Sequence, residues 1–102
     1  MLTDEDIIKA YDLADSRNPK NVNHQVTMEE MFKELKVKFP LKIVDFKEEM
    51  IAFYQRHHLV DFRFSVGGIL RPAVKKYHFE ANGKIIFWMR RFDWKEAIEG
   101  KK

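Results

Sequence analysis

The sequence contains no cysteine, only four glycines and three prolines, and no long apolar run. Without cysteine, the chain has no disulfide framework, no thiolate zinc site and no cysteine nucleophile. No apolar stretch approaches the roughly 20 residues that span a bilayer. The acidic start "MLTDEDIIKAYDLAD" lacks the basic and apolar regions of a signal peptide. We therefore expect a cytoplasmic protein with no membrane partner.

Motifs for catalysis and metal binding are also missing. There is no HExxH, no phosphate-binding loop and no nucleophile elbow. His57 and His58 are adjacent in a predicted helix, so they point about 100° apart and do not chelate one ion. The acids cluster where predicted helices begin, and there they interact favourably with the helix dipole. We expect a non-enzymatic protein without a cofactor or a metal site.

What the sequence does contain is typical of one globular domain, residues 1–102. Hydrophobic residues make up 45% and charged residues 34% of the chain, which excludes intrinsic disorder as the general state. Apolar residues recur at helical spacing in the first half, and alternate in the second. The pattern predicts an α+β fold: three N-terminal helices packed on a small antiparallel three-stranded sheet, followed by a short C-terminal helix.

Capping signals place the helices. Each of the first three opens with a capping residue followed three positions later by an acid, as in a capping box. These pairs are Thr3 with Asp6, Thr27 with Glu30, and Asp45 with Glu48. The C-terminal helix is expected to begin at Asp93 and to stop at Gly100.

Strands are predicted near 60–66, 74–81 and 84–92, the last two joined at Asn82-Gly83. Both turn positions tolerate the positive φ of a type I′ turn. A simple meander is the first expectation for their order. The apolar character of residues 85–89 on both faces favours an alternative, in which the last strand is central.

A two-residue turn fixes the pairing in this hairpin. The expected pairs are Ala81 with Lys84, Phe79 with Ile86, Tyr77 with Trp88, and Lys75 with Arg90. Phe79, Tyr77 and Trp88 then face the core, and Tyr77 and Trp88 would stack nucleic-acid bases only if this assignment is inverted. The opposite row is Ile85, Phe87 and Met89. It is either covered by the C-terminal helix or exposed as a patch for a partner.

Basic residues concentrate in the second half of the chain. Residues 1–50 carry 8 basic and 11 acidic side chains, whereas residues 51–102 carry 11 and 5. Lys75 opposite Arg90 is unfavourable, which makes a cationic cluster here a candidate anion site. The predicted nucleic-acid-binding residues are Arg71, Lys75, Lys76, Arg90, Arg91 and Arg56.

Residues 27–60, from "TMEEMFKELKVKF" to "QRHHLV", resemble the helix–turn–helix stretch of winged-helix regulators. The resemblance implies that the third helix reads nucleic acid and that the basic hairpin is the wing. Lys36 and Phe32 depart from the pattern, which favours glycine and a small residue there. Asp45 and Glu48 on the third helix repel phosphate. We therefore expect the hairpin and the corner at Arg56 to contact phosphates instead.

Two functions fit these observations. The first is a small regulatory protein that binds nucleic acid through the basic hairpin. The second is a protein-interaction module, such as an adaptor or an inhibitor of a larger complex, of a kind that phages encode. It would use the row Ile85, Phe87 and Met89 or the acidic helices.

Overall fold

The computed structural model describes residues 2–18, 23–65 and 76–92. It contains three helices and a small antiparallel sheet, so the predicted α+β class is confirmed. The predicted C-terminal helix lies outside the described residues. The elements are α1 (Asp4–Ser16), β1 (Val26–Thr27), α2 (Met28–Lys38), α3 (Ile43–His57), β2 (Phe62–Ser65), β3 (Phe79–Ala81), β4 (Lys84–Ile86) and β5 (Trp88–Arg91).

The first two helices begin at the predicted capping boxes. At α1, the Asp6 N–H donates to the Thr3 hydroxyl at 3.1 Å, and the Thr3 N–H donates to the Asp6 carboxylate at 3.0 Å. Thr27 and Glu30 exchange the same two bonds at the start of α2, at 3.2 and 3.0 Å. These bonds satisfy N–H groups that would otherwise have no partner inside the helix.

The predicted start of α3 at Asp45 is wrong. The helix begins at Ile43, after Lys42, whose side chain makes no capping hydrogen bond. Asp45 instead lies in the first turn, where a carboxylate still interacts favourably with the helix dipole. The predicted apolar stripe does form, since Phe46 and Phe53 are fully buried.

The three-stranded sheet has the order β1-β5-β2, with all pairs antiparallel. This order differs from the simple meander and agrees with the alternative of a central last strand. The two-residue β1, which the sequence did not indicate as a strand, occupies one edge. Met89 lies between Val26 and Phe64 in the register, and its apolar neighbours on both sides explain why the central position suits β5.

The hairpin forms a separate two-stranded sheet of β3 and β4. Asn82 and Gly83 have φ of 53° and 73°, as the predicted turn requires. The pairs Ala81–Lys84 and Phe79–Ile86 are confirmed. Tyr77 does not pair with Trp88, because the described ladder ends at Phe79, and Lys75 lies outside the described residues.

At Phe87 the chain stops pairing with β3 and begins to pair with β1 and β2. This change of partner explains why the predicted pair of Tyr77 with Trp88 does not form. The Phe87 carbonyl accepts a 2.8 Å hydrogen bond from the N–H of Met28, the first residue of α2. Ile86 and Met89 are both buried although they are three residues apart. A regular strand would place them on opposite faces, so the alternation shifts by one residue, as it does at a β-bulge. Because of this shift, Met89 points into the core and Trp88 points away from it, whereas regular alternation would have buried Trp88 with Ile86.

Aromatic rings from the helices cover the inner face of the sheet. The Phe62 ring centroid lies 5.2 Å from Tyr11 of α1 and 5.4 Å from Phe53 of α3. The buried Tyr11 hydroxyl donates to the His24 carbonyl at 2.6 Å and accepts from the Arg91 N–H at 2.9 Å. Tyr11 therefore holds α1, the segment before β1, and the end of β5 together.

Candidate nucleic-acid interface

The structure separates the six predicted binding residues. Arg71 and Lys75 lie outside the described residues. Lys76 is exposed before β3, with its Nζ atom 5.6 Å from the centre of the Tyr77 ring. The remaining three, Arg56, Arg90 and Arg91, occupy three different environments.

Arg56 is neutralised by α1. It forms a bidentate ion pair with Asp4 at the start of that helix. The adjacent His57 lies between two carboxylates, with Nε2 2.8 Å from Asp4 and Nδ1 2.7 Å from Asp61. Both ring nitrogens can donate to carboxylates only in the protonated imidazolium. This corner therefore ties the end of α3 to α1, and its cations already have partners.

The pKa values of Asp4 and His57 are shifted in the directions that these ion pairs require. The hydrogen bond from Arg56, with a smaller contribution from His57, holds the pKa of Asp4 below its usual value. Burial alone would lower the pKa of His57, but the hydrogen bonds that it donates to Asp4 and Asp61 outweigh burial and raise the pKa. A carboxylate that favours the protonated histidine competes with any phosphate for the same charge.

Arg91 is also paired. Its guanidinium forms an ion pair with Asp12 of α1 at 3.1 Å. It also lies 5.6 Å from the ring centres of Tyr11 and Phe62, close enough for cation–π attraction. Arg91 is partly exposed, but its charge is matched by a carboxylate from the helical layer.

Arg90, unlike Arg56 and Arg91, faces another cation. It lies directly opposite Arg63 in the antiparallel pair of β2 and β5. Arg90 thus faces a like charge, but from Arg63 of β2; the predicted pair with Lys75 is not tested, because Lys75 lies outside the described residues. Within residues 2–18, 23–65 and 76–92, neither arginine has a carboxylate partner. The Arg90 Nε atom is buried without a hydrogen bond, and its guanidinium lies 5.2 Å from the Phe92 ring centre.

Lys84 of β4 is a further cation near β2, and His58 lies between this lysine and the aromatic core. The His58 ring stacks on Tyr54 at 4.5 Å, and its Nδ1 accepts the Phe64 N–H at 3.4 Å. Burial lowers the pKa of His58, and the nearby charges of Lys84 and Arg63 lower it further. Lys84 of the hairpin and Arg63 of β2 therefore both lie close enough to His58 to disfavour its protonation.

The apolar row Ile85, Phe87 and Met89 is not an exposed patch. Met89 is 0% exposed and belongs to the core, and Phe87 is 7% exposed. Only Ile85 is partly exposed. The expectation of an exposed row assumed regular alternation through residue 87, and the break at Phe87 removes that regularity. Large exposed apolar side chains occur elsewhere, at Leu59 and Val60 among others.

Two of these cations, Arg63 and Lys84, were not among the predicted site residues. Apolar and polar residues alternate in "VDFRFSV", which is typical of a half-buried strand, and Arg63 is exposed between the buried Phe62 and Phe64. No signal in the sequence indicated that Arg63 faces Arg90, because that contact depends on the strand order. The signal for Lys84 was its position directly after the Asn82-Gly83 turn.

Comparison with known proteins gives no family: no family model matches the chain, and no solved structure matches it. Among the described residues, no three His, Asp or Glu side chains are arranged to hold a metal ion. In the same ranges, no helix combines the length and apolar character needed to cross a bilayer. The cationic surface is therefore the feature from which a function can be inferred.

Proposed function

We propose that the protein is a small, non-enzymatic regulatory protein that binds nucleic acid through the cationic side of its sheet and hairpin. The observation that carries this proposal is the pair Arg63–Arg90. Like charges directly across a ladder cost roughly 0.2–1 kcal/mol. Neither charge is compensated by a carboxylate of the described residues, and phosphate groups of a bound nucleic acid would compensate both.

Further cations in the second half of the chain support an anionic partner. Lys84 and Lys76 are exposed on the hairpin, and the sequence adds Arg71 and Lys75 to the same basic half. Arg56 and Arg91, by contrast, are held by Asp4 and Asp12. We therefore assign them a structural role and no primary role in binding.

The arrangement of elements favours a winged-helix-like variant with an unusual binding mode. Helices α2 and α3 are joined by the four residues 39–42, a linker length typical of helix–turn–helix motifs. The β3–β4 hairpin would take the place of the wing. Helix α3, however, exposes Asp45 and Glu48 on its outer side. Because these carboxylates repel phosphate, the proposed contacts go through the sheet and hairpin and not through α3.

The test is fluorescence anisotropy with labelled oligonucleotides, titrated at 50 and at 150 mM salt. We compare the double variant R63Q/R90Q with the matched control R56Q/R91Q, since each removes two positive charges. For R63Q/R90Q we expect binding at least about tenfold weaker and a salt slope smaller by about two units. The control should lose less than about threefold. Equal losses in the two variants, or no binding by the unmodified protein, would overturn the proposal.

A protein-interaction module, acting as an adaptor or an inhibitor, is the second candidate. The observation that favours it is the turn after α3, where Leu59 and Val60 are 55% and 66% exposed. Leu59 has a φ of 63°, which is uncommon for a bulky residue and is often retained at functional sites. Binding of a protein partner there should survive 500 mM salt and be lost in L59S/V60S. Binding that disappears at 500 mM salt but is unchanged in L59S/V60S would reject this candidate.

A further inference from the structure

One tryptophan shares a sheet face with the unpaired arginines. Residues two apart on a strand point to the same face and lie about 6.6–6.8 Å apart, and neighbouring strands lie about 4.8 Å apart. Trp88 and Arg90 on β5 are such a pair, and Arg63 lies directly across from Arg90. We call the face formed by Trp88, Arg90 and Arg63 the outer face.

Burial fixes which way this face points. Met89, between Trp88 and Arg90 in the chain, is 0% exposed and packs in the core. Its two neighbours must therefore point away from the helices. Trp88 is partly exposed, and Arg63 is exposed. Within residues 2–18, 23–65 and 76–92, the Trp88 ring makes no stacking or edge contact with another aromatic ring.

Trp88 and the arginines offer two complementary kinds of contact. An indole ring stacks on the flat face of a base, and arginine binds phosphate. In a duplex, base faces are hidden in the stack and reaching them costs unstacking energy, whereas the bases of an unpaired strand are open to an aromatic side chain. The acidic outer side of α3 adds a second reason, since Asp45 and Glu48 disfavour the helix-in-groove contact that duplex recognition would use.

We infer that the outer face binds single-stranded nucleic acid, with an unpaired base stacked on Trp88 and the adjacent phosphates held by Arg90 and Arg63. This inference rests on the proposed function and adds to it the form of the nucleic acid. Base–aromatic stacking contributes about 1–3 kcal/mol per base, so removing the ring should weaken single-strand binding from about 5-fold to more than 100-fold. Duplex binding, which would use the arginines alone, should change less than about twofold.

The experiment compares one labelled single strand with the duplex of the same length and sequence, by anisotropy at 150 mM salt. The proteins are the unmodified chain, W88F and W88A. We expect the unmodified chain to prefer the single strand, W88F to stay within about threefold because it keeps an aromatic ring, and W88A to lose most of the preference. Equal affinity for both forms in the unmodified chain would overturn the inference.

A second readout does not depend on whether W88A folds. The sequence has two tryptophans, Trp88 and Trp94, so the variant W94F leaves Trp88 as the sole indole emitter. A stacked base should quench this emission on addition of the single strand, and the duplex should quench it little. No quenching by a bound single strand would overturn the inference.

The outcomes separate the inference from the proposed function. If both nucleic acids bind equally, W88A is harmless and R63Q/R90Q still weakens binding, the stacking inference fails while the proposed function stands. If neither nucleic acid binds at 50 mM salt, both fail. If the single strand binds and quenches Trp88 but R63Q/R90Q has no effect, the assignment of phosphates to the arginines fails.

Discussion

Arg90 and Arg91 are neighbours in the chain but point to opposite faces of one strand, and their environments differ accordingly. Arg91 pairs with Asp12 and lies over the Tyr11 ring. Arg90 lies opposite another arginine and, within the described residues, has no carboxylate partner. On the helix side, packing and an ion pair hold the guanidinium of Arg91. On the outer face, charge is left available. The difference teaches that local cation density is a poor guide to a binding surface unless the position of the carboxylates is known.

The largest expected effect tests the boundary between the two faces. Met89→Ala should destabilise the fold by about 2–5 kcal/mol, because it opens a cavity at a fully buried position. Ile85→Ala, from the same predicted row but partly exposed, should cost clearly less. Urea unfolding followed by circular dichroism measures both. Similar costs for the two variants would contradict the shift in alternation at Phe87.

Tyr11→Phe tests how the helical layer holds β5. The variant leaves the His24 carbonyl and the Arg91 N–H without their partner, and such losses cost about 1–3 kcal/mol. The control is Tyr54→Phe, whose hydroxyl accepts a single 3.3 Å bond from Asn82 and should cost less than about 1 kcal/mol. Thermal unfolding ranks the stability of the two variants. A larger loss for Tyr54→Phe would show that the Tyr11 hydroxyl does not hold α1 and β5 together.

The two arginines can be compared directly. Arg91→Gln should lower the free energy of unfolding by about 1 kcal/mol, because it removes an ion pair and two cation–π contacts. Arg90→Gln should cost less, about 0.5 kcal/mol or below, since relief of the repulsion with Arg63 offsets the loss of the contact with the Phe92 ring. Chemical denaturation of both variants at low salt measures the difference. If Arg90→Gln and Arg91→Gln lowered the free energy of unfolding equally, the proposed difference between the two arginines would be wrong.

The smallest expected effect is a pH dependence of opposite sign for adjacent histidines. The raised pKa of His57 stabilises the fold fully below the unfolded value of about 6.5, and this contribution is lost as the pH rises through the folded pKa. The lowered pKa of His58 gives a contribution that is present above about pH 6.5 and is lost as the pH falls. Unfolding free energies between pH 5 and 8.5 for H57Q and H58Q, each compared with the unmodified chain, separate the two.

H57Q should therefore cost most at the acidic end of that range, and H58Q should cost most at the alkaline end. The Asp4 side chain, whose pKa is lowered, contributes stability above its unfolded pKa near 3.8, and this contribution disappears only at lower pH. The contribution of Asp4 therefore stays nearly constant over the range from pH 5 to 8.5. The same pH dependence for both histidine variants would contradict the ion-pair arrangement around His57.

How far the sequence predicts this protein depends on whether a feature is local. The capping boxes at Thr3 and Thr27 and the Asn82-Gly83 turn are set by residues within a few positions of one another, and they were predictable. The strand order was only partly predictable, because β1 has two residues and is defined by pairing with residue 89. The start of α3 was missed because Lys42 precedes it without a side-chain cap.

The candidate site was less predictable than the fold for the same reason. Basic composition and the hairpin direct attention to a group of cations that includes Arg90, but the partners of each cation are far away in the sequence. Arg56 meets Asp4, and Arg91 meets Asp12, so neither pairing follows from local pattern. The orientation of Trp88 away from the core depends on a one-residue shift at Phe87, which no periodicity in the sequence indicates.

The central position of β5 has a consequence for how the chain is made. Strands β1 and β2 do not touch each other and each pairs with β5, which is synthesised after all the other described elements. Until β5 leaves the ribosome, the three helices can form, but the aromatic faces that cover the sheet remain open to solvent. Pairing between residues so distant in sequence also slows folding. The nascent chain thus passes through a stage with exposed apolar surface, which is the stage that chaperones protect.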